Sequence, residues 1–540
     1  MGLAQWLQVP IDENAAYRND VWTNRDLIPI PPERRTWDVL GYLGYWVVGG
    51  ACISAWTTGS TMLSYGLNAQ EAIGAVVVGS VVTGLLAVSC GWMGERHKIG
   101  FTVSSRFVWG MRGSYFPVLL RIFTACCWTG IQGYWGGQAT RVLIGAIIPG
   151  FAHMKNTLPE SAGIATNDLI GTLIWYILFA VTISIPPERM QRPFFVTFVL
   201  FTGTAFGMLI WAVSTTGGAG PLFHTASTAP QGRGWAFMFG VTSLLGSWGA
   251  GTLGQSDWTR YAKRSLAPTV SQVLAAPVTI TVTALIGIIV TSCGQDIFGT
   301  LIWNPITMLA AIQEHYDSSP RARAGVFFAS IGLVASQLAI NTVLNSVSTG
   351  MDMAGLAPQY INMRRGGYVL CVIGLAINPW RLVATANKFL TVLSGFGVFL
   401  APMTGILLAE YLVVRRQKLR MSHLYRGDAG SIYWYWHGFN WRVLGPWVLG
   451  VWPLMPGFVA GVSGGDVAVG WTRLFNLAFV VGLAISFACT LVVDWVFPPP
   501  HLGEEDEYDP FMADAQLDVK GSKEELDEKK DFAVDDVVPV

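Results

Sequence analysis

The chain has 540 residues, a mean hydropathy of +0.45, 13% charged residues and a formal net charge of zero. Soluble globular domains carry roughly a quarter charged residues, so the composition speaks against a soluble enzyme, and the basic residues, scattered singly or in pairs between apolar stretches, speak against a nucleic-acid-binding surface. The zero conceals a division: residues 501–540 hold 14 acidic side chains against four lysines, and the rest of the chain is net positive by ten.

A polar, proline-containing segment at 1–36 comes first and carries Arg25, Arg34 and Arg35. Twelve apolar spans follow, at 38–63, 71–92, 115–148, 169–185, 193–213, 234–258, 269–292, 324–353, 368–377, 389–414, 444–462 and 474–497. Runs of about 20 apolar residues without period-two alternation select helices over barrel strands. In lipid each unpaired backbone group is costly, and a helix pairs its own. Arginine and lysine concentrate in the N-terminal segment and after even-numbered spans, as at Arg96, Lys98, Arg260, Lys263 and Arg415, which predicts cytoplasmic termini. The expected organisation is a cytoplasmic segment at 1–36, a ten-helix core at 37–414, a cytoplasmic loop at 415–443, two further helices at 444–497 and a disordered acidic tail at 498–540. Lysines in that tail are candidate ubiquitin acceptors for trafficking machinery, beside the plainer reading of a solvating tail. The seven cysteines lack metal spacing and read as small packing residues.

Helices that carry a solute are often broken near the bilayer midplane, which exposes backbone groups to the cargo. The first span has Gly49, Gly50 and Ala51 at its middle, and the sixth has Gly246, Ser247, Trp248 and Gly249. They lie five spans apart, as an inverted five-plus-five repeat requires; close helix packing through small residues is the competing reading. In the third span Trp128 and Gln132 share a helix face, one offering a ring plane and the other both a donor and an acceptor. The eighth span has Gln337, Asn341 and Asn345 at successive separations of four, then Thr349. Amides in a membrane face the protein interior or a cavity; an interhelical hydrogen-bond ladder is the alternative. The spans contain no paired histidines, catalytic nucleophile or phosphate loop, so an enzyme is not expected.

The chain also resembles a known family. Asn24-Arg-Asp-Leu-Ile-Pro-Ile-Pro-Pro-Glu-Arg-Arg-Thr-Trp37, Gly113-Ser-Tyr-Phe-Pro117, Trp128-Thr-Gly-Ile-Gln132, Ser256-Asp-Trp-Thr-Arg-Tyr-Ala-Lys263, Asn378-Pro-Trp380, Glu410-Tyr-Leu-Val-Val-Arg-Arg416 and Gly438-Phe-Asn-Trp-Arg442 occur in order. Together they resemble the nucleobase–cation symporter family, in its fungal branch of uracil, allantoin and uridine permeases. The resemblance implies an all-α polytopic membrane protein of twelve helices, with a LeuT-like inverted-repeat core in the first ten. It implies a plasma-membrane symporter that holds a flat heterocycle between Trp128 and Trp248, with ring edges bound by Gln132 and Asn345, and with Asn341, Gly246 and Ser247 lining the same cavity. The uracil and allantoin branch often has lysine where this chain has Ser247, so uridine, thiamine-like and nicotinamide-riboside-like compounds stay open, as does a non-transporting nutrient sensor. No cofactor is implied. In the sodium-coupled bacterial relative the ion-binding hydroxyls lie six and five positions before the ligand-binding asparagine; here those positions are Ala339 and Ile340, with Ser336 and Thr342 expected on other helix faces. A proton is therefore the expected coupling ion, with Asp257, Asp352 and Glu410 near cytoplasmic helix ends as its candidate acceptors.

Overall fold

A computed structural model describes residues 6–9 and 19–506. Most of the expected acidic tail, 507–540, lies outside the described residues. Among the described residues the fold is all helical, with only isolated β-bridges.

Each expected span coincides with a helix or a closely joined pair. The first is α1 (Val39–Gly50) and α2 (Ile53–Ser64), bent by 43° at a two-residue break. Then come α3 (Ala69–His97), the short α4 (Phe101–Trp109), α5 (Tyr115–Ile147), α6 (Thr166–Thr182), α7 (Gln191–Thr216), α8 (Arg233–Leu253) and α9 (Ala267–Phe298). The second half has α10 (Pro305–His315), α11 (Pro320–Ile340), a π-helical turn at Asn341–Val347, and α12 (Ser348–Leu356). It continues with α13 (Met363–Ala376), α14 (Ala386–Leu408), α15 (Leu444–Val451), α16 (Met455–Ser463), α17 (Val469–Asn476) and α18 (Ala478–Val496). By length and apolarity seven described helices suffice to cross a membrane, and the bent α1–α2 pair makes an eighth. The apolar α6 is shorter, at 17 residues, and α5 buries Arg121, Gln132 and Thr140, polar groups that lower its hydropathy because they face protein rather than lipid.

Local chemistry sets the helix ends. Asn68 and Glu71 form a reciprocal capping box at the start of α3, which satisfies two of the orphan donors there. At the α1–α2 break the backbone turns extended at Cys52 (φ −151°, ψ 169°). Thr279 of α9 donates its hydroxyl to the Trp46 carbonyl at 3.0 Å. Gly50 permits that approach, since a β-carbon there would lie 2.9 Å from the Ile280 amide nitrogen.

The buried apolar side chains form clusters that share helices. One apolar cluster joins α1, α2, α3, α8 and α9 through Trp46, Met62, Ala75, Leu244, Ile280 and Ala284. Another joins α5, α6, α11 and α14 through Trp135, Trp175, Leu333 and Phe389. In the described N-terminal segment, Asn24 donates to the carbonyls of Pro358 (3.1 Å) and Ile361 (3.2 Å), and Arg260 donates to the Asp26 carbonyl at 2.7 Å. The described part of the acidic segment expected to be disordered from 498, residues 498–506, makes specific contacts. Glu504 pairs with Arg420 and Glu505 with Arg96, each at 2.9 Å, and Asp506 hydrogen-bonds Ser422. Opposite charges bring these residues onto the basic loop, an attraction that a count of acidic residues does not reveal.

Candidate functional site

Helices α2, α5 and α8 and the eighth span enclose a small cavity of ≈ 50 Å³. Its wall takes Ser54 from α2, Arg121, Trp128 and Gln132 from α5, Ser247 and Trp248 from α8, and Asn345 and Thr349 from the interrupted eighth span. The arrangement follows from helix periodicity. Trp128 and Gln132 lie four residues apart on α5, and Arg121 lies seven before Trp128, so all three share one face. The Trp248 indole donates to the Gly49 carbonyl at 3.2 Å, a carbonyl freed by the ending of α1. Gln132 donates to the Ser54 hydroxyl at 2.6 Å. The Trp128 indole N–H and the Gln132 side-chain carbonyl are buried without a protein partner. A buried donor and a buried acceptor left unpaired in a cavity cost energy that a polar occupant recovers.

Several expectations are corrected. Gly246 does not line the cavity: it is buried against α14, where an added β-carbon would lie 2.9 Å from the Leu393 carbonyl carbon. Gly249 does not break a helix, for α8 runs unbroken to Leu253 and the interruption falls at Gly254. Gly249 instead packs toward Phe479, 3.4 Å from where its β-carbon would be. Close packing therefore explains these two glycines, whereas Gly49, Gly50 and Ala51 do sit at a break. Asn341 lies behind the wall and not on it. It accepts a hydrogen bond from Asn345 at 2.7 Å and donates to the Thr129 carbonyl at 3.4 Å. Both asparagines lie in the π-helical turn, joined by that bond, and of the two only Asn345 lines the cavity.

A buried ionic cluster lies against the cavity. Arg121 donates to Asp352 at 2.7 Å and pairs with Asp257. Thr102 donates to Asp352 at 2.8 Å, the Phe101 amide donates to Asp257 at 2.9 Å, and the Phe101 ring lies 4.5 Å from the guanidinium. All three charged side chains are at most 3% exposed. Arg121 was not singled out from the sequence, although an arginine within an apolar span is itself a signal of function. Asp257 and Asp352 were expected near helix ends, and their convergence on Arg121 was not. Glu410 is elsewhere: it pairs with Arg415 at 3.2 Å, and Arg415 in turn donates to the Tyr435 hydroxyl at 2.7 Å.

Ser336, expected on another face, points to the first-helix break, with its hydroxyl 3.5 Å from the Ala51 carbonyl. Thr342 turns away to Thr182 at 2.7 Å. Ala339 lines the same closed crevice as Ser336, whose other walls are mostly apolar. Thr197, the crevice's other hydroxyl, donates back to the Pro193 carbonyl at 3.1 Å, and the Ser336 hydroxyl with the Ala51 carbonyl is fewer oxygens than a hard cation binds.

Comparison with known proteins adds the lineage. Residues 29–482 match the family described as permease for cytosine/purines, uracil, thiamine, allantoin. The chain is 32% identical to the transporter aclS of Aspergillus oryzae, over 95% of this chain and 93% of the relative. It is 30% identical to the uracil permease of Saccharomyces cerevisiae, over 88% of this chain and 76% of the relative. In fold it is similar to Mhp1, a nucleobase-cation-symport-1 family transporter solved closed with bromovinylhydantoin bound. The TM-score is 0.67 at 18% identity, covering 88% of this chain and 97% of Mhp1.

Proposed function

The chain belongs to the permease family for cytosine and purines, uracil, thiamine and allantoin, and from that premise we propose that it is a plasma-membrane proton symporter that carries a nucleobase-type heterocycle by alternating access. The observation that carries this reading is the set of groups that converge on one cavity. Trp128 and Trp248 offer ring planes, and Gln132 and Asn345 offer amide edges. The unpartnered Trp128 N–H and Gln132 carbonyl are a donor and an acceptor of the kind a lactam or ureido edge satisfies. At ≈ 50 Å³ the cavity is too small for such a ring, so binding requires its walls to move apart. Alternating access supplies that movement.

Asp257 and Asp352 supply the coupling. Two carboxylates share one guanidinium, so the fully ionised cluster holds a net negative charge in a dry site, and one proton cancels it. Arg121 also lines the cavity. Ligand and proton thus act on one side chain. Both termini are cytoplasmic by the distribution of basic residues.

The test is radiolabelled uptake with a competitor panel of uracil, uridine, allantoin, cytosine, thiamine and nicotinamide riboside, with and without sodium and with an imposed proton gradient. The expected result is uptake of a neutral ring compound that persists without sodium and collapses with an uncoupler. Strict sodium dependence indifferent to pH would overturn the coupling, and accumulation of no compound would leave a sensor.

A further inference from the structure

The cavity holds more unsatisfied polar groups than the edge of one flat ring takes up. The Trp128 N–H and the Gln132 carbonyl match such an edge. Two further groups line the wall nearer the ionic cluster. Arg121 uses two of its guanidinium nitrogens on Asp257 and Asp352, and the third, Nη1, is buried without a protein partner. The Thr349 hydroxyl meets no partner among the described residues. Its neighbours behave differently. The Ser348 hydroxyl accepts from the Trp258 indole at 3.3 Å, and the Ser54 hydroxyl accepts from Gln132 at 2.6 Å. Thr342 and Thr404 each donate to the carbonyl four residues back, at 2.7 and 3.0 Å. Hydrogen-bonding groups left unused in a dry site are costly, and an occupant that reaches them recovers that cost.

The two sets of groups are separated along the helices. Arg121 precedes Trp128 by seven residues on α5, about 10 Å of helix axis. Its Nη1 rests against Gly254, six residues beyond Trp248 in the sixth span. A single ring between the two tryptophans does not span that length. The wall in between is made of small residues: Ala125 of α5, Ala250 and Gly251 of α8, and Ser348 of α12. A β-carbon at Gly251 would meet nothing within 4 Å. Both space and hydrogen-bonding capacity therefore continue past the ring toward the ionic cluster. Two carboxylates share that cluster with one guanidinium, so it repels an anion and receives a neutral acceptor.

Resting on the reading that this cavity holds a heterocycle, we propose that the ring carries a neutral, oxygen-bearing substituent that accepts a hydrogen bond from Arg121, bonds the Thr349 hydroxyl and fills the space beside Gly251. The hydroxyls of a pentose and the carbonyl of a ureido group share this chemistry. Gly251 and Thr349 then determine the choice between a substituted and a bare ring.

The test is calorimetric binding of two pairs of compounds to the purified full chain, uracil against uridine and hydantoin against allantoin, where the members of each pair differ by the substituent. The wild-type protein should bind the substituted member of at least one pair tenfold tighter than the bare ring, and the pair that responds identifies the substituent as hydroxylated or ureido. Gly251→Val, whose side chain projects into open space, should reduce that ratio at least tenfold. Thr349→Val keeps the shape of the side chain without its hydroxyl and should reduce the ratio severalfold. Binding of the bare ring as tightly as the substituted one in both pairs, a measurement that needs no variant, would overturn the proposal and leave the heterocycle reading standing. So would tighter binding of the carboxylate-bearing orotate than of any neutral member, or an unchanged ratio in both variants at wild-type thermal midpoints. Binding of none of these compounds would remove the heterocycle reading itself, and this proposal with it.

Discussion

Trp128 and Gln132 illustrate what single side chains contribute. Replacing Trp128 with alanine removes one ring face and is expected to weaken apparent affinity by about 1–3 kcal/mol, by analogy with base–aromatic stacking; Trp128→Phe should keep part of it. Uptake kinetics of variants verified at the membrane decide this, and an unchanged apparent affinity would move the site. Gln132→Ala and Asn345→Ala should reorder the competitor panel, because an edge-reading amide discriminates by leaving wrong partners unpaired. Uniform slowing with the same ranking would instead assign these amides to helix packing. Arg121 is different in kind. Arg121→Ala strands two buried carboxylates, a change of about 3–5 kcal/mol, and should reduce the folded protein recovered from membranes. Asp352→Asn leaves Arg121 paired one-to-one with Asp257, so it should fold and bind but lose the response of uptake to an imposed proton gradient. The same gradient response in Asp352→Asn and wild type would exclude Asp352 as the acceptor.

At the scale of elements, the glycines of α8 divide into two kinds that composition does not separate. Gly246 abuts the α14 backbone, and a methyl group there forces the helices apart; overpacking of this sort costs typically about 1–3 kcal/mol. Gly251 lines the cavity and has nothing within 4 Å of its β-carbon position. Gly246→Ala should therefore lower the thermal midpoint of the purified protein, while Gly251→Ala should leave the midpoint unchanged and alter substrate ranking. Equal midpoints would mean that α8 and α14 are less tightly joined than their geometry requires. The π-helical turn in the eighth span is the corresponding lesson for amides. A separation of four brings Asn341 and Asn345 into hydrogen-bond contact, yet only Asn345 reaches the cavity wall.

At the scale of the whole molecule, the face with the termini is closed by contacts between distant segments, and the tail begins as one of them. The contacts of Glu504, Glu505 and Asp506 are partly exposed ion pairs, each worth about 0–1 kcal/mol. Truncation after Asp506 should leave affinity and thermal midpoint intact. Truncation after Leu502 should lower the midpoint slightly, with the difference between the two truncations shrinking at high salt. Loss of substrate affinity in the first truncation at normal surface abundance would give the tail a part in transport.

Hydropathy alone located the long helices, because in a bilayer a long apolar run has one economical backbone solution, but not the shorter α4 and α10 that lie between spans. The broken first span was legible for a similarly local reason, since Gly49 and Gly50 permit an interruption. The shared face of Trp128 and Gln132 followed from helical spacing. Tertiary structure decided what depends on partners remote in sequence. Asp257 and Asp352 lie 136 and 231 residues from Arg121, and no pattern within one helix announces that they meet there. The role of Gly246 and Gly249 was fixed by the neighbours across the helix interface, α14 and Phe479, and the interruption of the sixth span moved to Gly254. Periodicity reports which face a residue occupies; only packing determines what that face meets, because burial and charge pairing are properties of two surfaces together.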